Sequence, residues 1–125
     1  MTKHFDLDKL IAIIDAINVR CDIAVNLNWT ADHEKAFVLR SFADKDWIFK
    51  INKDNKKDFL KAISDNLNDS DYCHYVIRTN DKEIGKGYDH CEINFINPNF
   101  FKITEEFKNI LGDSEIVLTE EVELN

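Results

Sequence analysis

Proline is nearly missing from this chain and glycine is scarce: 125 residues hold one proline and three glycines. That leaves no room for a flexible linker or a low-complexity segment, and no repeat at solenoid or propeller periods is visible. Basic residues are short as well, 16 against 24 acidic ones, for a net charge of −8. Direct nucleic-acid binding is therefore not expected, because phosphate neutralisation by Lys and Arg supplies most of that affinity. Docking on an anionic membrane is unexpected for the same reason. No apolar run approaches the roughly 18 residues of a membrane-crossing helix. Cysteines are few and odd in number, three. The opening MTKHFDLDKL has neither the apolar core nor the cleavage site of an export signal. Reduced thiols in a cytoplasm are the expectation.

Catalytic signatures are missing too. Gly85-Lys86-Gly87 is a lone G-x-G without the third glycine of a phosphate-binding turn, and His33-Glu34 lacks the second histidine of H-E-x-x-H. No G-x-S-x-G, P-loop or EF-hand pattern occurs. Among the many carboxylates, no motif singles out a pair for glycoside hydrolysis. No cofactor is expected, and the protein is expected not to be an enzyme.

What is present is enough for a core: 44% hydrophobic and 32% charged residues describe one folded domain over residues 1–125. Asp6 is expected to cap a first helix, with Phe5 and Leu10 at staple spacing and Leu7, Leu10, Ile11, Ile14 and Ile17 on one face. Cys21, Ile23, Val25, Leu27 and Trp29 then alternate with polar or small residues, the pattern of a half-buried strand. A polar TADHEK turn leads to an expected second strand, AFVLRSF, and ADKD to a third around Trp47, Phe49 and Ile51. NKDNKKDFLKAISDNL reads as a helix capped near Asp54 or Asn55, facing inward through Phe59, Leu60, Ile63 and Leu67. Strands YCHYVIRT and HCEINFI follow. Asn97-Pro98 is expected to open a third helix with a stripe of Phe100, Ile103, Phe107, Ile110 and Leu111, ending at Gly112. EIVLTEEVELN closes the chain as a strand and an acidic tail. The expected class is α+β: an antiparallel sheet of about five to six strands with three helices, ordered α-β-β-β-α-β-β-α-β.

The stretch CHYVIRTNDKEIGKGYDHC, residues 73–91, carries two cysteines and two histidines. If its turn centres on Lys82, Cys73 opposes Cys91 and His74 opposes His90. Alternation along a regular strand then sends both cysteines to the apolar face and both histidines to the other. The four groups cannot converge on one tetrahedral metal, so no metal site is expected. Adjacent Cys73 and His74 likewise fail as a catalytic pair on a regular strand. A Cys73–Cys91 disulfide stays geometrically open, against two reduced, buried thiols.

The acidic clusters carry the functional signal. From Thr104 to Asn125 there are seven carboxylates (Glu105, Glu106, Asp113, Glu115, Glu120, Glu121, Glu123) and one lysine, so this segment holds −6 of the net −8. DNLNDSD adds Asp65, Asp69 and Asp71 after the second helix. A solvated surface explains such clusters; so does a negative face shaped for a basic cleft, where carboxylates stand in for phosphates. On the second reading these ten residues form the partner-binding face. Reversing Glu120, Glu121 and Glu123 is expected to abolish binding and leave the fold intact.

In the layout of FDLDKLIAII, the segments CDIAVNLNW, AFVLRSF and DWIFKI, the helix KKDFLKAISDNL and the ending EIVLTEEVELN, the chain resembles the small acidic Cas9 inhibitors of phages, the type II anti-CRISPR proteins. The likeness spans roughly the first half plus the tail, and residues 72–96 depart from it. It implies a non-enzymatic inhibitor that fills the DNA-binding groove of a nuclease. Bacterial immunity proteins that neutralise a toxin nuclease fit the same generic features. The expected partner is a basic nuclease or other nucleic-acid-binding enzyme, with no direct nucleic-acid or membrane contact. A small Cys/His-dependent enzyme and a structural subunit of a phage or mobile element are the remaining alternatives.

Overall fold

The computed structural model describes residues 5–27 and 37–125. Trp29, the Thr30–Lys35 turn and the His33-Glu34 pair lie outside the described residues, as does the Phe5 side chain on which the expected staple depends. The elements are α1 (Phe5–Ala16), β1 (Cys21–Leu27), β2 (Phe49–Ile51), α2 (Lys56–Asn66), β3 (Tyr72–Thr79), β4 (Lys82–Tyr88), β5 (Ile93–Ile96), α3 (Glu105–Leu111) and β6 (Glu115–Leu118). A helical stretch at 37–39 runs into a 3-10 turn at Arg40–Phe42, so four helices stand among the described residues where three were expected.

Six strands form one mixed sheet in the order β2-β1-β3-β4-β5-β6. All neighbours are antiparallel except β5 and β6, which run parallel. The expected all-antiparallel sheet is thus corrected at its last strand. The physical reason is the connection: α3 and its flanking loops carry the chain back along the sheet, and a long crossover returns a strand in parallel. AFVLRSF is the second correction. Both sides of β1 are taken, by β2 and β3, so a further strand has no ladder to join there. Residues 37–42 instead coil, burying Leu39 and half-burying Phe42, whose ring stands edge-on to Phe59 with centroids 5.2 Å apart.

The helical stripe of α1 is as expected: Leu7, Leu10, Ile14 and Ile17 are buried and join Ile13 in the core. Strand residues Ile23, Ile77 and Ile96 meet them from the sheet, and Phe59 and Ile63 come from α2. Each such side chain, fully buried, contributes roughly 1.5–3 kcal/mol of transfer free energy. α1 packs against both α2 and α3. Its cap is another correction: Asp6 lies inside the first turn, and the amide of Leu7 is taken by Asp69 Oδ1 at 2.8 Å. α3 is shorter than the stripe from Phe100 suggested, beginning only after Thr104, whose Oγ1 accepts from Phe107 N at 3.1 Å. Phe100 N and Phe101 are already committed: the first closes a turn on Asn97, and the second bridges Ile17 at the end of α1. Gly112 ends α3 with φ 55°, the left-handed conformation that glycine adopts at no steric cost.

The 73–91 stretch is a hairpin of β3 and β4 in another register than expected, followed by a second turn. Asn80 and Asp81, with φ 51° and 64°, make a two-residue turn, and Thr79 pairs with Lys82. That right-handed-twist-matching turn suits Asn and Asp, the residues that best tolerate positive φ. Lys82–Tyr88 becomes a strand in its own right, and a second turn follows at Asp89, His90 and Cys91 (φ 53°, 59°, 66°) before β5. Cys73 therefore does not face Cys91, nor His74 His90. Gly85 and Gly87 belong to β4 for a packing reason: a Cβ on Gly87 would drive into the Tyr75 ring, and one on Gly85 would sit 2.9 Å from Phe101 Cζ.

Candidate functional site

The direction of each element sorts its charges to one end of the molecule or the other. α1 starts beside the start of β3, where Asp69 caps it and Tyr72 donates its hydroxyl proton to Asp6 O at 2.5 Å. α2 starts at the far end, where Lys56 Nζ donates to the carbonyls of Asp15 and Ile17, so its last residues return to the α1 start. α3 follows the Lys102 N to Ala16 O bond at the far end and likewise delivers Asp113 and Glu115 to the near one. Asn94, fully buried, ties that near end together: it accepts from Tyr75 Oη and donates to the carbonyls of Cys91 and Glu115.

One end consequently gathers carboxylates from separate segments. Asp65, Asp69, Asp71, Asp113 and Glu115, all singled out from the sequence, lie there. Asp6 and Asp8 in the first turn of α1 join them, as do Asp89 and Glu92 around the β4–β5 turn. Those four were missed because nothing local distinguishes them; chain direction alone brings them in. Lys9 and Lys61, which border this end, each pair with one of its carboxylates, Asp6 at 3.8 Å and Asp65 at 2.9 Å. The opposite end holds the starts of β1, α2 and β4 and the end of β3, where Arg20, Lys56, Lys82 and Arg78 are interspersed with Asp22, Asp54, Asp81 and Glu83. Two of the acidic residues are architectural: Asp69 caps α1, and Asp71 closes a capping box by accepting from Asn68 N at 2.6 Å.

The other expected partner-binding residues lie elsewhere. Glu105 and Glu106 start α3 at the opposite end, Glu105 3.7 Å from Lys108. The tail beyond β6 is tied to the sheet and not free. Glu120 accepts from Asn99 Nδ2 at 2.7 Å, and Glu123 from Glu83 N at 2.9 Å, beside a 3-10 turn (Val122–Leu124) that packs on β4. Glu121 is exposed, and its carbonyl accepts from Asn125 Nδ2. The ten carboxylates thus divide five and five between the two ends.

The three thiols are free, and their settings differ. Burial pushes Cys21 and Cys91 up to about 12, and Cys91 Sγ lies 3.2 Å from Tyr72 Oη, whose own proton is held by Asp6 O. Cys73 is half-buried, and it does not stand on a regular strand. Leu27 pairs with Tyr72 and Val25 with Tyr75, so Cys73 and His74 together oppose the single Asn26. This bulge breaks the alternation on which the split of cysteine from histidine rested. Cys73 Sγ stands 3.6 Å from His74 Nε2, and the Asp89 amide donates to His74 Nδ1 at 3.2 Å.

No described helix is long and apolar enough to cross a membrane. The open surface beside the opposite end includes a hollow of about 670 Å³ lined by Val19, Arg20, Lys53, Asp54 and Lys56. No family model matches the chain, and no curated protein or solved structure matches it either.

Proposed function

We propose that the protein is a non-enzymatic inhibitor whose acidic end enters the basic nucleic-acid site of a partner enzyme, a nuclease of the CRISPR or toxin kind. The observation that carries this reading is the convergence of Asp6, Asp8, Asp65, Asp89, Glu92, Asp113 and Glu115 from four separate segments onto one end of the fold. Carboxylates presented on rigid elements stand in for backbone phosphates, and complementary fields raise both association rate and selectivity.

The test is reversal of the exposed carboxylates that hold no structural bond, Asp8, Glu92, Asp113 and Glu115, to lysine, with Glu105 and Glu106 reversed as the control. Affinity capture from the host with the native protein should retrieve a nucleic-acid-binding enzyme and block its binding to nucleic acid. The four-site variant should retrieve none, and the control should behave as native. Capture that survives the four reversals and is indifferent to salt rules the reading out.

A further inference from the structure

We infer that Cys73, His74 and Asp89 form a binding site for a thiophilic divalent transition metal, zinc in the first instance. The donor atoms of these three side chains already lie within 4.8 Å of one another. A tetrahedral zinc ion, with a Zn–S bond of about 2.3 Å and a Zn–N bond of about 2.0 Å, holds its sulfur and nitrogen about 3.5 Å apart. Cys73 Sγ and His74 Nε2 stand 3.6 Å apart. The first two ligands are therefore at coordination spacing, and only the exposed carboxylate of Asp89 has to swing inward.

The spacing is built by the backbone. Consecutive strand residues ordinarily point to opposite faces, and the bulge against Asn26 is what turns Cys73 and His74 the same way. Asp89 opens a run of three non-glycine residues in the left-handed region, and this turn is pinned by His90 N donating to Cys73 O at 2.8 Å. Such strain persists where the surroundings over-determine it, and it gathers at functional sites. The Tyr88 ring stands edge-on to the His74 imidazole, with centroids 5.5 Å apart, and limits its rotation. A thiolate and an imidazole select zinc-like metals over magnesium or calcium. The acidic end around the site favours any cation. Three protein ligands leave a fourth position for water or for a side chain of a bound partner.

Coordination has a definite proton balance. The Asp89 amide donates to Nδ1, which leaves the ring proton on Nε2, facing sulfur. Binding through Nε2 releases the thiol proton to solvent and moves the ring proton to Nδ1. The Asp89 amide must then leave Nδ1, so the strained turn rearranges as the metal enters.

Cobalt(II) titration of the native chain tests this, with zinc competition. A single equivalent of cobalt should raise a thiolate-to-metal charge-transfer band, and zinc should quench it. Cys73→Ser should remove the band. His74→Gln and Asp89→Asn should each weaken binding at least about tenfold, the loss that even outer-shell changes cause at metal sites. No band, or a band that survives Cys73→Ser, overturns the proposal. A second measurement needs no variant: zinc should protect Cys73 from N-ethylmaleimide and shift the Asp89 amide resonance. An unchanged alkylation rate overturns the site, and an unmoved Asp89 amide overturns coordination through Nε2.

Discussion

Gly87 shows how one residue sets the surroundings of the acidic end. Its missing side chain lets the Tyr75 ring lie across β4 and reach Asn94, which in turn holds the carbonyls of Cys91 and Glu115. Gly87→Ala puts a methyl into that ring. Urea denaturation should show a loss of about 1–3 kcal/mol, the usual cost of overpacking a filled core. The buried thiols give a second residue-level prediction. Cys21 and Cys91 are raised from 9.0 to about 12 in the fold. Between those values the unfolded chain has lost thiol protons that the folded chain keeps, so stability falls as pH rises. The slope is about 1.4 kcal/mol per pH unit for each thiol. Buried Tyr72 and Tyr75, also raised, steepen the fall above pH 10.0. Stability curves from pH 8 to 11 should show the decline, and Cys91→Ala should flatten it relative to its own value at neutral pH. Below pH 8 these groups are protonated in both states and contribute no slope.

At the scale of elements, α1 and α2 were legible because their signals are local. The buried stripe of α1 and the inward set of α2 follow a 3.6-residue period that needs no partner to be read. The cap of α1 was not legible, since Asp69 is 62 residues from Leu7 along the chain. Asp69→Ala leaves the Leu7 amide without its acceptor and removes a charge that favours the helix N-terminus. A loss of about 0.5–2 kcal/mol is expected in thermal or chemical unfolding. Asp69→Asn should recover part of it, because the amide oxygen still accepts. AFVLRSF failed as a strand because its apolar residues satisfy either period over so short a run, and the occupied flanks of β1 settled the matter.

For the whole molecule the consequential feature is polarity. Net charge gives −8 and nothing about where it sits. The acidic C-terminal segment, which looks like one patch along the chain, divides between opposite ends once β6 runs parallel to β5. Its tail also holds the sheet edge through Glu120 and Glu123, so reversing these residues perturbs folding as well as charge. Association with a basic partner should therefore depend on Asp8, Glu92, Asp113 and Glu115 more than on the tail. Stopped-flow measurement with the captured enzyme should show an association rate that falls steeply with ionic strength for the native protein and weakly for the four-site variant.

The sequence by itself determined the α+β class, the faces of α1 and α2, the extent of β3, the presence of β1 and β6, and an excess of acid, because each of these is a property of composition or of a short periodic window. Only the tertiary structure decided the parallel last strand, the bulge at Cys73-His74, the turn at Asp89–Cys91 and the gathering of charge at one end. All four arise from register and chain direction, which are fixed by contacts between segments far apart in the chain. A shift of register by one residue exchanges the two faces of a strand, and the bulge makes that exchange near the start of β3, which turns a cysteine and a histidine expected on opposite faces into neighbours.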